Sequence, residues 1–134
     1  MARQKIVVDA SVIVKWFVDE EYSTQALAFR ADHVSGKTLL IIPELTFLEV
    51  LNALRYKGGS IKSLTQANEA LWDVQFHVEK INRFLLEKAS ILALEYKLSL
   101  YDALYLALGL LYGSIVVTAD VALAKAPNTI LLGK

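Results

Sequence analysis

The stretch that best indicates the fold of this chain is Lys5-Ile6-Val7-Val8-Asp9, a short β-branched run that ends in an acid. A continuous apolar run of this kind is typical of a strand that is covered on both faces. Similar short runs predict four more strands: Thr38–Ile42, His77–Ile81, Ser114–Thr118 and Thr129–Leu132. Because longer helical segments separate the runs, the pattern predicts an α/β domain of three layers with a mainly parallel central sheet.

Seven segments between and around these strands predict helices. Pro43 suits the first turn of a helix, and Gly58-Gly59 suits the end of one. Ser63-Leu64-Thr65-Gln66 has the spacing of a capping box. The predicted helices are Ser11–Trp16, Thr24–Ser35, Pro43–Tyr56, Leu64–Phe76, Asn82–Tyr96, Leu100–Tyr112 and Val121–Lys125.

Length and composition favour one folded domain over residues 1–134. Hydrophobic residues make up 55% of the chain and charged residues 21%, which excludes a disordered protein. Part of this apolar surplus is expected to cover an oligomer interface. The formal net charge of zero gives no overall sign of nucleic-acid binding, although local patches are compatible with it. The chain has no cysteine, so disulfides and thiolate metal sites are excluded.

No segment has the pattern of a secretory or membrane protein. The N-terminus leads directly into the first predicted strand without the apolar run of a signal peptide, so a cytoplasmic location is expected. The uncharged stretch 103–119 is about as long as the shortest membrane spans. Gly113-Ser114 divides it, however, and the two parts predict a buried helix followed by a buried strand.

Four acids stand beside or inside apolar segments: Asp9, Glu49, Asp102 and Asp120. Buried carboxylates are rarely tolerated unless they are paired or bind a metal, and no lysine or arginine occupies matched positions. Asp9 and Asp120 follow predicted strands, and parallel sheets place ligand sites at the carboxyl ends of their strands. The sequence therefore predicts that a cation completes a site formed by these acids.

Each acid also has a purely structural interpretation. Asp9 and Asp120 suit helix N-caps, and Asp102 suits the first turn of a helix, where it fits a capping box that starts at Ser99. Glu49 is compatible with an exposed helical stripe. These alternatives stay open at the level of the sequence.

Three polar residues are placed to support the acids. Ser11 suits either a hydrogen bond to a metal-bound water or a helix cap. Asn52 shares a helical face with Glu49, as an amide that orients a ligand would. Thr118 suits the orientation of a carboxylate or of a substrate phosphate, or merely ends its strand.

The segments that carry these acids resemble, in order, four motifs of the PIN-domain ribonucleases, and more narrowly of the VapC-type toxins of toxin–antitoxin pairs. One difference is Ala10, where many relatives have a hydroxyl residue. The resemblance covers nearly the whole chain and is carried by 8–17, by 43–54, by 100–107 and by 117–124.

This resemblance implies an α/β/α PIN fold and assigns the catalytic and metal-binding roles to Asp9, Glu49, Asp102 and Asp120. It also implies Mg²⁺ or Mn²⁺, cleavage of RNA, a cognate antitoxin and a homodimer. A site rich in oxygen ligands and poor in imidazoles suits these ions. The hypothesis is metal-dependent hydrolysis of RNA phosphodiester bonds.

The sequence indicates RNA-contacting residues less clearly than it indicates the acids. Lys15, beside Trp16, follows the first acid, and Arg55 and Lys57 precede the Gly58-Gly59 turn. These residues suit phosphate contacts and base stacking, whereas solvated charges and a core Trp16 are the simpler interpretation.

Three other functions compete with the ribonuclease. A phosphate-receiver signalling domain has similar length and acids at strand ends, but Asp9 lacks an adjacent acid and neither central strand ends in Asp. A catalytically inactive PIN scaffold would act as a binding module. Cleavage of DNA also stays open, since nothing in the sequence reads a 2′-hydroxyl.

Overall fold

The computed structural model describes residues 2–134, in which helices and strands alternate much as predicted. The strands are β1 (Gln4–Val8), β2 (Thr38–Pro43), β3 (His77–Glu79), β4 (Ile115–Thr118) and β5 (Thr129–Leu131). The helices are α1 (Ala10–Val14), α2 (Ser23–Val34), α3 (Leu45–Tyr56), α4 (Ile61–Asp73), α5 (Arg83–Tyr96), α6 (Leu100–Tyr112) and α7 (Val121–Ala124).

All five strands are parallel, in the order β3-β2-β1-β4-β5. The connections run one way from β1 to β2 and β3, and the other way through β4 to β5. The winding therefore reverses between β1 and β4, where Val8 pairs with Val117. The segments that follow the carboxyl ends of these two strands run in opposite directions and leave a crevice between them that suits a ligand. This position is the topological switch point of the sheet.

Neighbouring residues of β1 face opposite layers of helices, as the period of a strand requires. Ile6 and Val8 pack in one core, which is formed with α1, α3 and α4. Val7 packs in the other core, with α5, α6 and α7. The sheet is thus covered on both faces, which confirms the predicted three-layer α/β/α architecture.

The uncharged stretch 103–119 is a helix followed by a strand. The helix α6 ends at Gly113, whose φ of +60° lies in the left-handed region that suits glycine. The chain then enters β4. Over residues 2–134, no helix combines the length and the apolar character needed to cross a bilayer.

Two predicted helix starts are wrong. Pro43 ends β2 instead of beginning α3, because the next N–H, that of Glu44, donates to Glu79 O (2.9 Å) and keeps the chain in the sheet. The cap of α4 is Ser60 and not Ser63. Ser60 accepts from the N–H of Ser63 (3.0 Å), while the Ser63 hydroxyl accepts from the N–H of Ser60 (2.8 Å).

Candidate active site

Asp9 lies at the carboxyl end of β1, in the N-cap position of α1, yet its side chain makes no capping hydrogen bond. Its Oδ2 atom instead accepts from Ser11 Oγ and from Thr118 Oγ1, both at 2.7 Å. The carboxylate is only 5% exposed. Helix capping therefore does not account for Asp9, whose side chain is held by two hydroxyl groups, one from α1 and one from the end of β4.

Burial raises the pKa of Asp9 above its ordinary value. The bonds from Thr118, Ser11 and the backbone of Ala10 oppose this rise, and the negative charge of Asp120 adds to it. No ion pair to Asp9 is present in the part of the chain that the structure describes. Asp9 is thus a buried acid whose charge is not balanced by a basic side chain.

The same hydroxyls bind the backbone of the residues that follow β4. Ser11 Oγ accepts from the N–H of Ala119, and Thr118 Oγ1 accepts from the N–H of Asp120, both at 2.9 Å. Each hydroxyl also donates to Asp9, so the position of Asp120 is tied to that of Asp9. Thr118 thus orients a carboxylate, one of the alternatives that the sequence left open, whereas Ser11 bonds Asp9 itself and does not cap α1.

Asp120 and Asp102 both lie at helix starts, but they are bonded differently. Asp120 Oδ1 accepts from the N–H of Ala122 at 2.9 Å and so caps α7. Asp102 stands in the first turn of α6, where Ser99 provides the cap by accepting from the Asp102 N–H (3.1 Å). Burial, followed by the charges of Asp9 and Asp120, raises the pKa of Asp102 to about 6.

Glu49, on α3, receives a hydrogen bond from a residue that the sequence analysis missed. Tyr105 of α6 is fully buried and donates from Oη to Glu49 Oε1 (2.7 Å), while its oxygen lies 2.7 Å from Thr46 Oγ1. A tyrosine in an apolar helix needs a partner for its hydroxyl, and this requirement was the available signal. Burial raises the pKa of Glu49, with smaller contributions from Asp9 and Asp102, and the bond from Tyr105 opposes the rise.

The remaining predicted site residues make no hydrogen bond or ion pair to these acids within residues 2–134. Asn52 is exposed and makes no side-chain hydrogen bond within residues 2–134. Lys15 and Lys57 both bind Glu20, at 3.1 and 3.3 Å. The guanidinium of Arg55 lies over the ring of Tyr56.

Trp16 belongs to the core, as the simpler interpretation held. Its Nε1 donates to Ala26 O (2.8 Å), and its indole stacks on Phe76. It is therefore not a free surface for a stacked base.

The donor set has the chemistry of a site for a hard divalent cation. All four acids present carboxylate oxygens. Burial, with smaller contributions from the neighbouring negative charges, raises the pKa values of Asp9, Glu49 and Asp102, and a bound cation would offset those charges. Their spacing is open: among residues 2–134, no three acidic or histidine side chains are drawn together closely enough to hold a metal ion.

Fold and site together define a doubly wound α/β domain with acidic side chains gathered at its topological switch point. Residues 6–128 match the PIN domain family, and the chain belongs to that family. It is 36% identical over 127 residues to ribonuclease VapC3 of Pyrobaculum aerophilum. The aligned region covers 90% of this chain and 93% of the relative.

Two solved structures share the fold at low sequence identity. VapC20 of Mycobacterium tuberculosis, a toxin that cleaves the sarcin–ricin loop, superposes with a TM-score of 0.75 at 19% identity, covering 91% of this chain and 95% of that one. A toxin–antitoxin complex from Klebsiella pneumoniae gives 0.74 at 22% identity, covering 96% and 98%.

The sheet also argues against the receiver interpretation. Receivers have the flavodoxin-like strand order 2-1-3-4-5, in which β1 lies between β2 and β3. Here β1 lies between β2 and β4, and β3 is an edge strand. The topology and the family match both separate this chain from that class.

Proposed function

We propose that this protein is a metal-dependent endoribonuclease of the VapC toxin type, with Asp9, Glu49, Asp102 and Asp120 as its catalytic acids. The observation that carries the proposal is the placement of these carboxylates around the carboxyl ends of β1 and β4, near enough to affect one another's pKa and with no ion pair to a basic side chain within residues 2–134. Burial, with smaller contributions from the charges of the neighbouring acids, raises the pKa values of Asp9, Glu49 and Asp102. The similarity to ribonuclease VapC3 supports RNA as the substrate.

The same four acids would hold Mg²⁺ or Mn²⁺, which prefer carboxylate and water ligands. Such a cation, when bound, lowers the pKa of a water ligand and offsets the charge that develops on the scissile phosphate. Asp9 contributes the most buried carboxylate of the set, and Asp102, with its pKa of about 6, is ionised near neutral pH.

The neighbouring side chains fix the orientation of these acids. Ser11 and Thr118 both donate to Oδ2 of Asp9, which leaves Oδ1 without a side-chain donor in residues 2–134. Tyr105 donates to Oε1 of Glu49, and Oε2 of Glu49 likewise has no side-chain donor in residues 2–134. One oxygen of Asp9 and one of Glu49 are therefore held by neighbouring side chains, and we propose that the other oxygen of each contacts the cation. Asn52, exposed one helical turn beyond Glu49, is proposed to orient that acid or its ligand.

Cleavage of a mixed structured RNA tests the proposal directly. The protein should cut with Mg²⁺ or Mn²⁺ and stop in EDTA. Asp9→Asn should lose more activity than the ~10–100-fold typical when a residue that merely supports a metal ligand is removed. Asp19→Asn, a change at an exposed acid outside the cluster, is the matched control and should cut normally. Undiminished cleavage in EDTA would rule the mechanism out.

A PIN scaffold that only binds RNA is the second candidate, and the open spacing of the acids favours it. Titration of the protein with Mn²⁺ separates the two functions. Heat of binding that disappears in Asp9→Asn supports the nuclease, even where the chosen RNA is not a substrate. Absence of Mn²⁺ binding together with absence of cleavage supports the binding module.

A cognate antitoxin and a second copy of the chain are the proposed protein partners. The antitoxin would inhibit by offering a cation to the acids, and the solved toxin–antitoxin complex with this fold is consistent with such a partner. The homodimer would cover apolar side chains that α5 leaves exposed, including Leu94, which is 85% exposed. Sedimentation should give a dimer at micromolar concentration and a monomer for Leu94→Lys; a monomeric wild-type protein would count against the dimer.

A further inference from the structure

An acidic pocket repels the RNA backbone, so a nuclease built on it needs basic side chains near by to retain its substrate. Several cations do not meet this need. Lys15 and Lys57 both bind Glu20. Arg3 and Lys5 lie at the amino end of β1, whereas Asp9 follows its carboxyl end. Arg3 donates to His33 O, and Lys5 lies over the ring of Tyr112.

A cavity of about 320 Å³ between the α5–α6 turn and α7 has two lysines in its wall. Lys97 follows α5, and Lys125 follows α7. Both are exposed, and neither makes an ion pair or a side-chain hydrogen bond within the described chain, residues 2–134. The remainder of the wall is apolar or aromatic, formed by Tyr96, Leu98, Ala122 and Ala126.

Two segments that line this cavity also carry acids of the site. Ala122 lines the cavity, and its N–H is the group that donates to Asp120. On the other side, Leu98 leads directly to Ser99, the cap that accepts from the Asp102 N–H. The two lysines therefore stand on the two segments that present Asp102 and Asp120.

We infer that this cavity binds the backbone of single-stranded RNA, with Lys97 and Lys125 contacting a phosphate next to the one that is cut. The inference rests on the proposed nuclease function and adds the surface along which the substrate enters. Unpaired ammonium groups suit a phosphate, because they lose no existing ion pair when it binds. Tyr96 supplies a flat apolar wall for the sugar or base of the same nucleotide.

The test measures RNA affinity against salt, so it does not depend on cleavage. A fluorescein-labelled single-stranded RNA of mixed sequence is titrated with Asp9→Asn protein, which serves to suppress cutting, and anisotropy is followed at several KCl concentrations. Lys97→Gln/Lys125→Gln is compared in that background with Lys37→Gln/Lys88→Gln. The control lysines are also exposed, and the control makes the same change in net charge. Lys97→Arg/Lys125→Arg keeps both charges.

The cavity pair should weaken binding and flatten the plot of log K against log salt by up to about 1.4, since each lost contact to a single strand contributes ~0.7. The arginine pair should behave as the parent. A slope changed no more by the cavity pair than by the control pair would overturn the inference. Metal-dependent cleavage by the wild-type protein would still stand in that case, so the two failures are distinguishable.

Discussion

The hydroxyl of Tyr105 lies between two side chains of α3 and joins that helix to α6. It donates to Glu49 and lies within hydrogen-bonding distance of Thr46. Thr46 and Tyr105 are both buried, so neither hydroxyl has water as an alternative partner. The orientation of Glu49 therefore depends on a residue that carries no charge and belongs to an apolar helix.

Tyr105→Phe should weaken Mn²⁺ binding and destabilise the fold. The ring is kept, but Glu49 loses its donor and Thr46 loses its partner, which costs about 1–3 kcal/mol for an unsatisfied buried group. Mn²⁺ affinity should fall by ~10–100-fold, as for other residues that support metal ligands. Calorimetric titration and urea unfolding measure the two effects.

Tyr112→Phe is the matched control for this substitution. Tyr112 is also on α6 and also bonds two side chains, Glu79 (3.0 Å) and His77 (2.7 Å), but it is the last residue of the helix. It should leave Mn²⁺ affinity unchanged. Equal losses of affinity in the two variants would show that Tyr105 acts through general stability and not through Glu49.

The chemistry of single residues was predictable where it depends on neighbours along the chain. Asp9 and Asp120 follow strands, and that alone placed them at one edge of the sheet. Tyr105 was missed because its partners Glu49 and Thr46 lie on another helix. The pairing of Lys57 with Glu20 was equally invisible, since it joins residues from distant parts of the sequence.

At the scale of elements, helix starts were harder to predict than strands. Pro43 is compatible with a first helical turn, but pairing of β2 with β3 holds it in the sheet, where it lies opposite Glu79. The segment 60–66 contains several candidate caps, and local spacing favoured Ser63. Ser60 prevails because its extended backbone lets it and Ser63 exchange hydrogen bonds.

Ser60→Ala should cost about 1 kcal/mol of stability, because the N–H of Ser63 at the start of α4 loses its acceptor. Ser35→Ala is the control: it removes an exposed hydroxyl that bonds a carbonyl at the end of α2, and should change stability by less than about 0.5 kcal/mol. Urea unfolding of the two variants gives the comparison. An unchanged midpoint for Ser60→Ala would favour a helix that begins at Ser63.

At the scale of the whole molecule, the order of the strands brings together the residues that the sequence separates. Alternating strands and helices predicted the parallel sheet, and the apolar strands predicted cover on both faces. The pairing of β4 with β1 could not be predicted, because short apolar runs do not specify the order of the strands in the sheet. This pairing of β4 with β1 brings Thr118 within hydrogen-bonding distance of Asp9 and so assembles the site.

Gathering acids in this way has a measurable effect on the stability of the metal-free protein. The pKa of Asp102 is about 6 in the fold and 3.8 in its ordinary state, so the folded form binds its proton more tightly. The resulting stabilisation is complete below pH ~4 and is lost as the pH rises through about 6. Asp9 and Glu49 are shifted in the same direction and add to the loss.

Thermal unfolding in EDTA should therefore show a falling Tm between pH about 4 and about 6.5. Asp102→Asn removes one of the titrating groups and the repulsion it exerts on Asp9, so its Tm should fall less over the same range. At neutral pH in EDTA the variant should be the more stable protein. Mg²⁺ should reverse this order, because it stabilises only the form that keeps its full set of ligands. A Tm that falls equally in both proteins would show that Asp102 is not among the acids whose repulsion the metal relieves.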